Sequence, residues 1–144
     1  LITAHKWSGE GIHLMKPHSV FRALGNENWI NKKTNPKSVS SKAFLRKPKD
    51  VDGVSVFDEE DSCYALKLSG TATIPIQELV KLQNPVNGAK LKLCYNDPQN
   101  PHHLVIENLP FLHEHQDEAE TLAFDIAQKA TLRPFKTKLV MENS

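Results

Sequence analysis

The 144-residue chain carries 18 basic and 17 acidic residues, which gives a formal net charge of +1. Such a balance gives no general reason to expect nucleic acid or an anionic membrane as a partner. With 39% hydrophobic and 24% charged residues, the composition excludes a disordered chain and is typical of a globular protein. We therefore predict a single domain over 1–144.

The first third of the chain predicts a strand, a loop and a second extended segment. Residues 1–11 are expected to form a loose arm that lacks the apolar stretch of a signal peptide. The run "SVFRALG" (19–25) predicts a short strand that ends at a glycine. Residues 25–41 are rich in Asn, Lys and Ser and predict a long loop, which is often functional. The run "SKAFLRKP" (41–48) predicts an extended segment.

The middle of the chain predicts a turn, a strand and a helix. Asp52 and Gly53 are typical of a tight turn, and "VSVF" after them predicts a strand. Residues 58–70 predict a helix, because Asp58 can cap it and acidic residues suit its first turn. A strand over "CYALKLS" is the alternative for the same residues.

The second half predicts a strand, a brief helix, a hairpin and a long helix. "TATIPI" and "PIQELVKLQN" predict the first two, and "AKLKLCYN" and "HLVIENLP" predict the hairpin. "QDEAETLAFDIAQKATL" has apolar residues at helical spacing, and residues 133–144 are expected to form a tail. Because strands and helices do not alternate, we predict an α+β fold. A mixed or antiparallel sheet would pack against the long C-terminal helix and one or two short helices.

The two cysteines, Cys63 and Cys94, lie in apolar surroundings and in no metal-binding or redox spacing. They predict small core residues in a reducing compartment, and hence a cytoplasmic location. No apolar run approaches the roughly 20 residues that span a bilayer, so we expect no membrane partner.

Two adjacent histidines, His102 and His103, lie at the start of the apolar run "LVIEN". Neighbouring side chains on a strand point to opposite faces, so the pair is not expected to act on one ligand unless the strand begins later. Either imidazole could serve as a general acid–base or as a ligand contact. A structural role at the start of a strand is the alternative.

A second cluster, "HEHQDEAE" (113–120), contains metal-ligand residue types but no HExxH spacing. Acidic residues are also expected here because a helix begins. We therefore expect no metal site. The chain contains no GxxxxGK[ST] and no GxGxxG motif, so we also expect no cofactor.

Arg22 lies between apolar neighbours on the first predicted strand. If it is buried, its charge needs a partner or a ligand anion; the alternative is an arginine that faces solvent or a cleft. Between Asn31 and Asp50 seven residues are basic and only Asp50 is acidic. This segment is either a solvated surface or a site for a phosphate-bearing ligand or RNA.

The motifs Phe21-Arg22, Ala43-Phe44, 52–56 ("DGVSV"), a histidine before an apolar strand, and Leu109-Pro110 resemble a family of small uncharacterised bacterial proteins, largely cyanobacterial. The resemblance runs from about Val20 to Ala130 and implies no particular activity.

A looser similarity connects the chain with ADP-ribosyltransferase-like folds, including toxin domains that consume NAD. This similarity implies that Arg22 binds the phosphates of NAD, that Ser40 or Ser41 supports the nicotinamide, and that Glu78 or Glu107 stabilises the transition state. Neither glutamate lies in the Glu-x-Glu pattern common in that group.

The function predicted first is binding of a protein or nucleic-acid partner. The alternative is a small toxin-like enzyme, either ADP-ribosyltransferase-like or a metal-independent nuclease. Arg22, His102 and His103 are the candidate catalytic residues. The candidate binding residues are Lys32, Lys33, Ser41, Arg46 and Ser55. A homodimer through the edge of "KLKLCY" remains open.

Overall fold

A seven-stranded antiparallel sheet dominates the computed structural model, which describes residues 6–7 (backbone only), 17–66 and 68–135. The strands run in the order β1-β7-β8-β5-β2-β6-β9, and β3 pairs with β4 in a separate ribbon. Their bounds are β1 (Lys6–Trp7), β2 (Ser19–Leu24), β3 (Ile30–Asn31), β4 (Ser38–Val39), β5 (Val54–Phe57), β6 (Gly70–Pro75), β7 (Lys92–Tyr95), β8 (His103–Glu107) and β9 (Thr131–Pro134).

One main helix, α2 (Gln116–Lys129), accompanies this sheet, together with the single-turn helix α1 (Ile76–Leu79). Three 3₁₀ helices cover Glu27–Trp29, Ser41–Phe44 and Glu60–Leu66. The predicted α+β class, with an antiparallel sheet packed against a long C-terminal helix, is therefore confirmed.

Two local predictions were wrong in their details. The segment predicted as extended over 41–48 begins with the 3₁₀ helix Ser41–Phe44, because the hydroxyl of Ser40 accepts a hydrogen bond from the amide of Lys42 at 3.2 Å. This turn buries two apolar side chains, Ala43 and Phe44. The helix predicted within 58–70 is a 3₁₀ helix rather than an α-helix.

The core lies between α2 and one face of the sheet. The apolar positions of α2 recur three or four residues apart, so they form one stripe along the helix. This stripe joins Phe44 and the sheet in a single apolar cluster. The buried residues of the stripe are Ala119, Leu122, Ala123, Ile126 and Ala127.

Alternation along β5 and β8 divides their side chains between the two faces of the sheet. Val54, Val56, Leu104 and Ile106 are at most 1% exposed and belong to the core cluster. The side chains between them, Ser55 on β5 and those flanking Leu104 on β8, lie on the opposite face. This opposite face carries the polar residues that matter below.

The sheet is incompletely paired near its centre. β2 forms six residue pairs with β6, from Ser19–Pro75 to Leu24–Gly70. With β5, on its other side, it forms only the pair Phe21–Phe57. The remaining backbone groups of β2 and β5 that face each other are therefore not joined by a continuous ladder.

The predicted arm and tail are described only in part. Lys6 and Trp7, within the predicted arm, pair with β7, and β9 extends into the start of the predicted tail. The rest of 1–11 and residues 136–144 lie outside the described residues. Within the described part of the chain, no helix combines the length and the apolar character needed to cross a membrane.

Gly53 permits the close approach of the turn before β5 to β8. Its φ is 138°, a region that residues with a side chain rarely adopt, and a Cβ there would collide with the carbonyl oxygen of Ile106. We expect Gly53→Ala to lower the free energy of unfolding by more than about 1 kcal/mol, measured by urea denaturation.

Gly25→Ala is the matched control, because a Cβ at Gly25 meets no atom within 4 Å. Its free energy of unfolding should change by less than about 0.5 kcal/mol. Equal effects of the two substitutions would show that the turn does not require glycine.

Candidate functional site

Three polar side chains, Ser55, His103 and Asn96, form a hydrogen-bonded chain on the face of the sheet opposite α2. His103 Nε2 lies 3.0 Å from Ser55 Oγ, and His103 Nδ1 lies 2.8 Å from Asn96 Oδ1. All three residues are partly exposed. A hydroxyl, an imidazole and an amide oxygen in this order have the connectivity of a nucleophile, a base and an orienting group.

The strand register explains why these residues meet. Ser55 pairs with Val105 and Phe57 pairs with His103 across β5 and β8, so Ser55 and His103 are diagonal neighbours on one face. Tyr95 pairs with Leu104 in the hairpin of β7 and β8. The next pair in this register is Asn96 with His103, just beyond the end of β7.

The partners of His103 determine where its proton lies. Asn96 Oδ1 can only accept a hydrogen bond, so His103 Nδ1 carries the proton and donates it. His103 Nε2 is then the acceptor for the hydroxyl proton of Ser55. Burial lowers the pKa of His103, and Asp97 opposes this effect. The imidazole is therefore neutral at pH 7 and able to take a proton from Ser55.

Phe57 forms one wall beside this chain of hydrogen bonds. Its ring meets the imidazole of His103 edge to face, with the ring centroids 5.4 Å apart and an angle of 70° between the planes. This contact, with the two hydrogen bonds of the imidazole, fixes the orientation of the ring. The base is thus held in one position before any ligand arrives.

His102 belongs to a different network. Its Nδ1 lies 2.8 Å from Asp58 Oδ1, and the hydroxyl of Tyr95 donates to Asp58 Oδ2 at 2.7 Å. Its Nε2 lies 3.5 Å from the carboxylate of Glu59. The two adjacent imidazoles therefore have separate partners, as expected for neighbouring residues at the start of a strand.

Arg22 lies on the same side of β2 as the buried residues Val20 and Leu24, not on the side of Phe21. The side chain of Arg22 therefore leaves β2 on the side of the sheet that holds the core. Its Nε donates to the carbonyl of Ala43 and its Nη1 to the carbonyl of Ser55, each at 2.9 Å. Arg22 and His103 thus contact the same residue, Ser55, through its carbonyl and its hydroxyl respectively.

Of the other predicted binding residues, Arg46 is engaged by the protein itself. Its three guanidinium nitrogens donate to the carbonyls of Asp50, Leu109 and Val51. The guanidinium carbon lies 3.8 Å from the centroid of the Phe111 ring. These contacts join the 46–51 loop to the segment after β8, which is a structural role.

Lys32, Lys33 and Ser41 lie away from this hydrogen-bonded chain in the contacts that the described residues make. Lys32 forms an exposed ion pair with Glu27 at 3.0 Å, and the amide of Lys33 donates to Asn31. Ser41 begins the 3₁₀ helix that covers the core.

The residues implied by the ADP-ribosyltransferase similarity have other contacts. Ser40 caps the 3₁₀ helix Ser41–Phe44. Glu78 on α1 is paired with Lys81 and Lys129, which lower the pKa of its carboxyl group. Glu107 lies at the opposite end of β8 from His103. The described contacts do not gather an arginine, a serine and a glutamate at one point.

The described ranges 17–66 and 68–135 contain no group of three or more His, Cys, Asp or Glu residues arranged to hold a metal ion. In the cluster 113–120, His113 lies 3.8 Å from the adjacent Glu114 and 5.2 Å, centroid to centroid, from the ring of Phe111.

Comparison with known proteins adds no relative to this geometry. No family model matches the chain, and no significant match was found among curated proteins or among solved structures.

Four residues of these networks, Asn96, Asp58, Glu59 and Tyr95, were not among the predicted site residues. Asn96 could have been found, because the predicted hairpin of "AKLKLCYN" and "HLVIENLP" places the end of the first strand, Asn96, near the start of the second, His103. Asp58 was interpreted as a helix cap and Tyr95 as a strand residue. Their link to His102 depends on the neighbouring position of β5 and β8, which no local pattern predicts.

The lowered pKa of His103 predicts a pH-dependent stability. In the unfolded chain its pKa is about 6.5, so between that value and the lower folded pKa the unfolded state binds more protons. Stability should therefore fall as the pH drops below about 6.5. Urea denaturation should show a steeper acid loss for the wild type than for His103→Gln, and NMR titration of His103 should give a pKa below 6.5.

A folded-state pKa for His103 at or above 6.5 would contradict the neutral, partly buried imidazole. Equal acid sensitivity of the two proteins would do the same.

Proposed function

We propose that the protein is a hydrolase in which Ser55 is the nucleophile, His103 the general base and Asn96 the group that orients the base. The observation that supports this proposal is the continuous chain from Ser55 Oγ to His103 Nε2 and from His103 Nδ1 to Asn96 Oδ1. A neutral amide in the third position is known from cysteine-dependent variants of the triad.

The proposed reaction proceeds in two stages. Ser55 Oγ attacks the carbonyl carbon of an ester or amide while its proton passes to His103 Nε2. The tetrahedral intermediate collapses, and His103 returns that proton to the leaving alcohol or amine. Water then attacks the acyl group on Ser55 with His103 again as base, which releases the acid and restores the serine.

The electrostatic surroundings of His103 suit a base that becomes charged for a short time. Burial favours the neutral imidazole before reaction, and the charge of Asp97 favours the imidazolium. Asn96 holds the tautomer through Nδ1 but supplies no full charge, so Asp97 provides the negative potential. The direct hydrogen bonds position the base and Asp97 acts at longer range.

A fluorophosphonate probe tests the nucleophile directly, because its reaction needs an activated serine and no knowledge of the substrate. We expect one equivalent of probe to attach to Ser55, identified by mass spectrometry of peptides. Ser55→Ala should abolish the labelling, and His103→Gln should slow it by about 10²–10⁴-fold, the usual contribution of a general base. Ser41→Ala is the matched control and should label normally.

Labelling of another serine, or no labelling of a folded wild-type protein, would refute the proposed role of Ser55. An unchanged labelling rate in His103→Gln would remove His103 from the mechanism.

Binding of a nucleic-acid partner is the second candidate function, and a specific observation favours it. The six lysines between residues 32 and 49 are all exposed, and among the described residues only Lys32 of these six has an ion-pair partner. Such a surface fits a phosphate backbone. A cytoplasmic location, expected from the two cysteines, belongs to both proposals.

For this second function, single-stranded RNA should bind with an affinity that falls steeply with salt. Replacing Lys33 and Lys37 by Gln should lower the slope of log affinity against log salt by about one unit for each lost phosphate contact. Fluorescence anisotropy measures both quantities. Lys81→Gln is the control, because Lys81 is already paired with Glu78. Equal effects of the double variant and the control would exclude this surface.

A further inference from the structure

Arg22 is a cation that lacks an ion-pair partner among the described residues. None of the ion pairs formed in the described part of the chain includes it. Its two hydrogen-bond acceptors, the carbonyls of Ala43 and Ser55, are neutral, and the ring of Trp29 lies 4.7 Å from the guanidinium carbon. A guanidinium that has lost water without gaining an anion is an unfavourable arrangement for the free protein.

The hydrogen bonds of Arg22 also leave one nitrogen available. Nε and Nη1 each donate to a carbonyl, whereas Nη2 has no acceptor among the described residues. Arg22 as a residue keeps intermediate exposure. Nη2 carries two N–H donors, and a guanidinium prefers oxyanions as partners.

Arg46 provides an internal comparison for a structural arginine. All three of its nitrogens donate to backbone carbonyls, and its guanidinium stacks on Phe111. In Arg46 every guanidinium nitrogen therefore has a carbonyl acceptor, and an aromatic ring covers the cation. Arg22 has the same types of partner but lacks the third acceptor.

Arg22 and His103 contact Ser55 from different sides of the sheet. The guanidinium bonds the carbonyl of Ser55 where β2 and β5 are no longer paired, and it leaves β2 on the side of the core residues Val20 and Leu24. The hydroxyl of Ser55, which bonds His103, lies on the opposite face. A group held by Arg22 would therefore lie on the side of the sheet that carries α2.

We propose that Arg22 binds a small oxyanion, a carboxylate or a phosphate, on the side of the sheet that carries α2. This site does not depend on the proposed hydrolase. The anion supplies an acceptor for Nη2 and an ion-pair partner for the guanidinium, neither of which the described residues provide.

The electrostatics of the surroundings agree with this site. Burial lowers the pKa of Arg22 to about 10, and Asp50 and Cys63 oppose that effect. Arg22 nevertheless stays protonated at pH 7. Burial and Glu60 raise the pKa of Cys63 to about 12, so its thiol supplies no negative charge at that pH. Asp50, whose charge partly offsets the burial of Arg22, accepts a hydrogen bond from the amide of Lys47.

Binding of inorganic phosphate and of acetate tests the site, and the two arms distinguish the two oxyanions. Isothermal titration calorimetry on the wild type should show one site for at least one of them. Arg22→Gln should weaken that binding by about tenfold or more, the effect of removing a charge-assisted hydrogen bond. Arg46→Lys is the matched control and should leave the dissociation constant unchanged.

An NMR measurement on the wild type covers the case in which Arg22→Gln does not fold. The Nε–H resonance of Arg22 should shift when phosphate or acetate is added, and that of Arg46 should not. Neither anion binding the wild type, or binding without a shift at Arg22, would overturn the proposal. Equal affinity in a folded Arg22→Gln protein would overturn it as well.

Ser55→Ala separates this inference from the proposed hydrolase. It should abolish probe labelling and retain anion binding. Anion binding without any labelling of the wild type would keep the Arg22 site and refute the hydrolase. If the wild type is labelled but binds neither phosphate nor acetate, and neither anion slows the labelling, the result supports the nucleophile and refutes the anion site.

Discussion

The arrangement of the site depends on the incomplete pairing between β2 and β5. In a continuous antiparallel sheet, the carbonyl of Ser55 would be available to an amide of the neighbouring strand. Here the guanidinium of Arg22 takes that place, and the carbonyl of Ala43 is joined to the same cation. One side chain thus connects β2, the 3₁₀ helix Ser41–Phe44 and β5. A satisfied backbone ladder would have needed no charge at this point.

β5 carries core residues on one face and a residue of the candidate site, Ser55, on the other. Val54 and Val56 are buried in the core on the α2 side of the sheet, and their burial fixes the position of Ser55 between them. The carbonyl of Ser55 is held from the β2 side and its hydroxyl from the β8 side. A serine restrained at both groups is a positioned side chain, and positioning reduces the entropic part of a reaction barrier.

Local sequence patterns predicted the elements that bury a regular apolar face. The spacing of apolar residues in 116–129 predicted α2, and the alternation in "AKLKLCYN" predicted β7 and its hairpin. The prediction of an extended backbone over 41–48 was wrong because the side chain of Ser40 caps a 3₁₀ helix there. No feature of this sequence shows whether the capped helix or a paired strand is the more stable conformation.

The candidate site was only partly predictable for a similar physical reason. Arg22 and His103 were predicted as catalytic residues and Ser55 as a binding residue, but no sequence pattern joined the three. Their connection depends on the order β8-β5-β2 in the sheet, which joins residues far apart in the chain. The roles of the two histidines also stayed open. Alternation along a strand places their imidazoles on opposite faces, but it does not show which imidazole lies beside a serine.

Because His102 and His103 are adjacent, two alternative registers of β8 would each place an imidazole beside Ser55. If β8 shifted by one residue against β5, the imidazole of His102 would replace that of His103 beside the serine. The same shift would move Leu104 and Ile106 out of the apolar interior, at a cost of several kcal/mol. Hydrophobic burial of Leu104 and Ile106 therefore selects which of the two imidazoles lies beside Ser55.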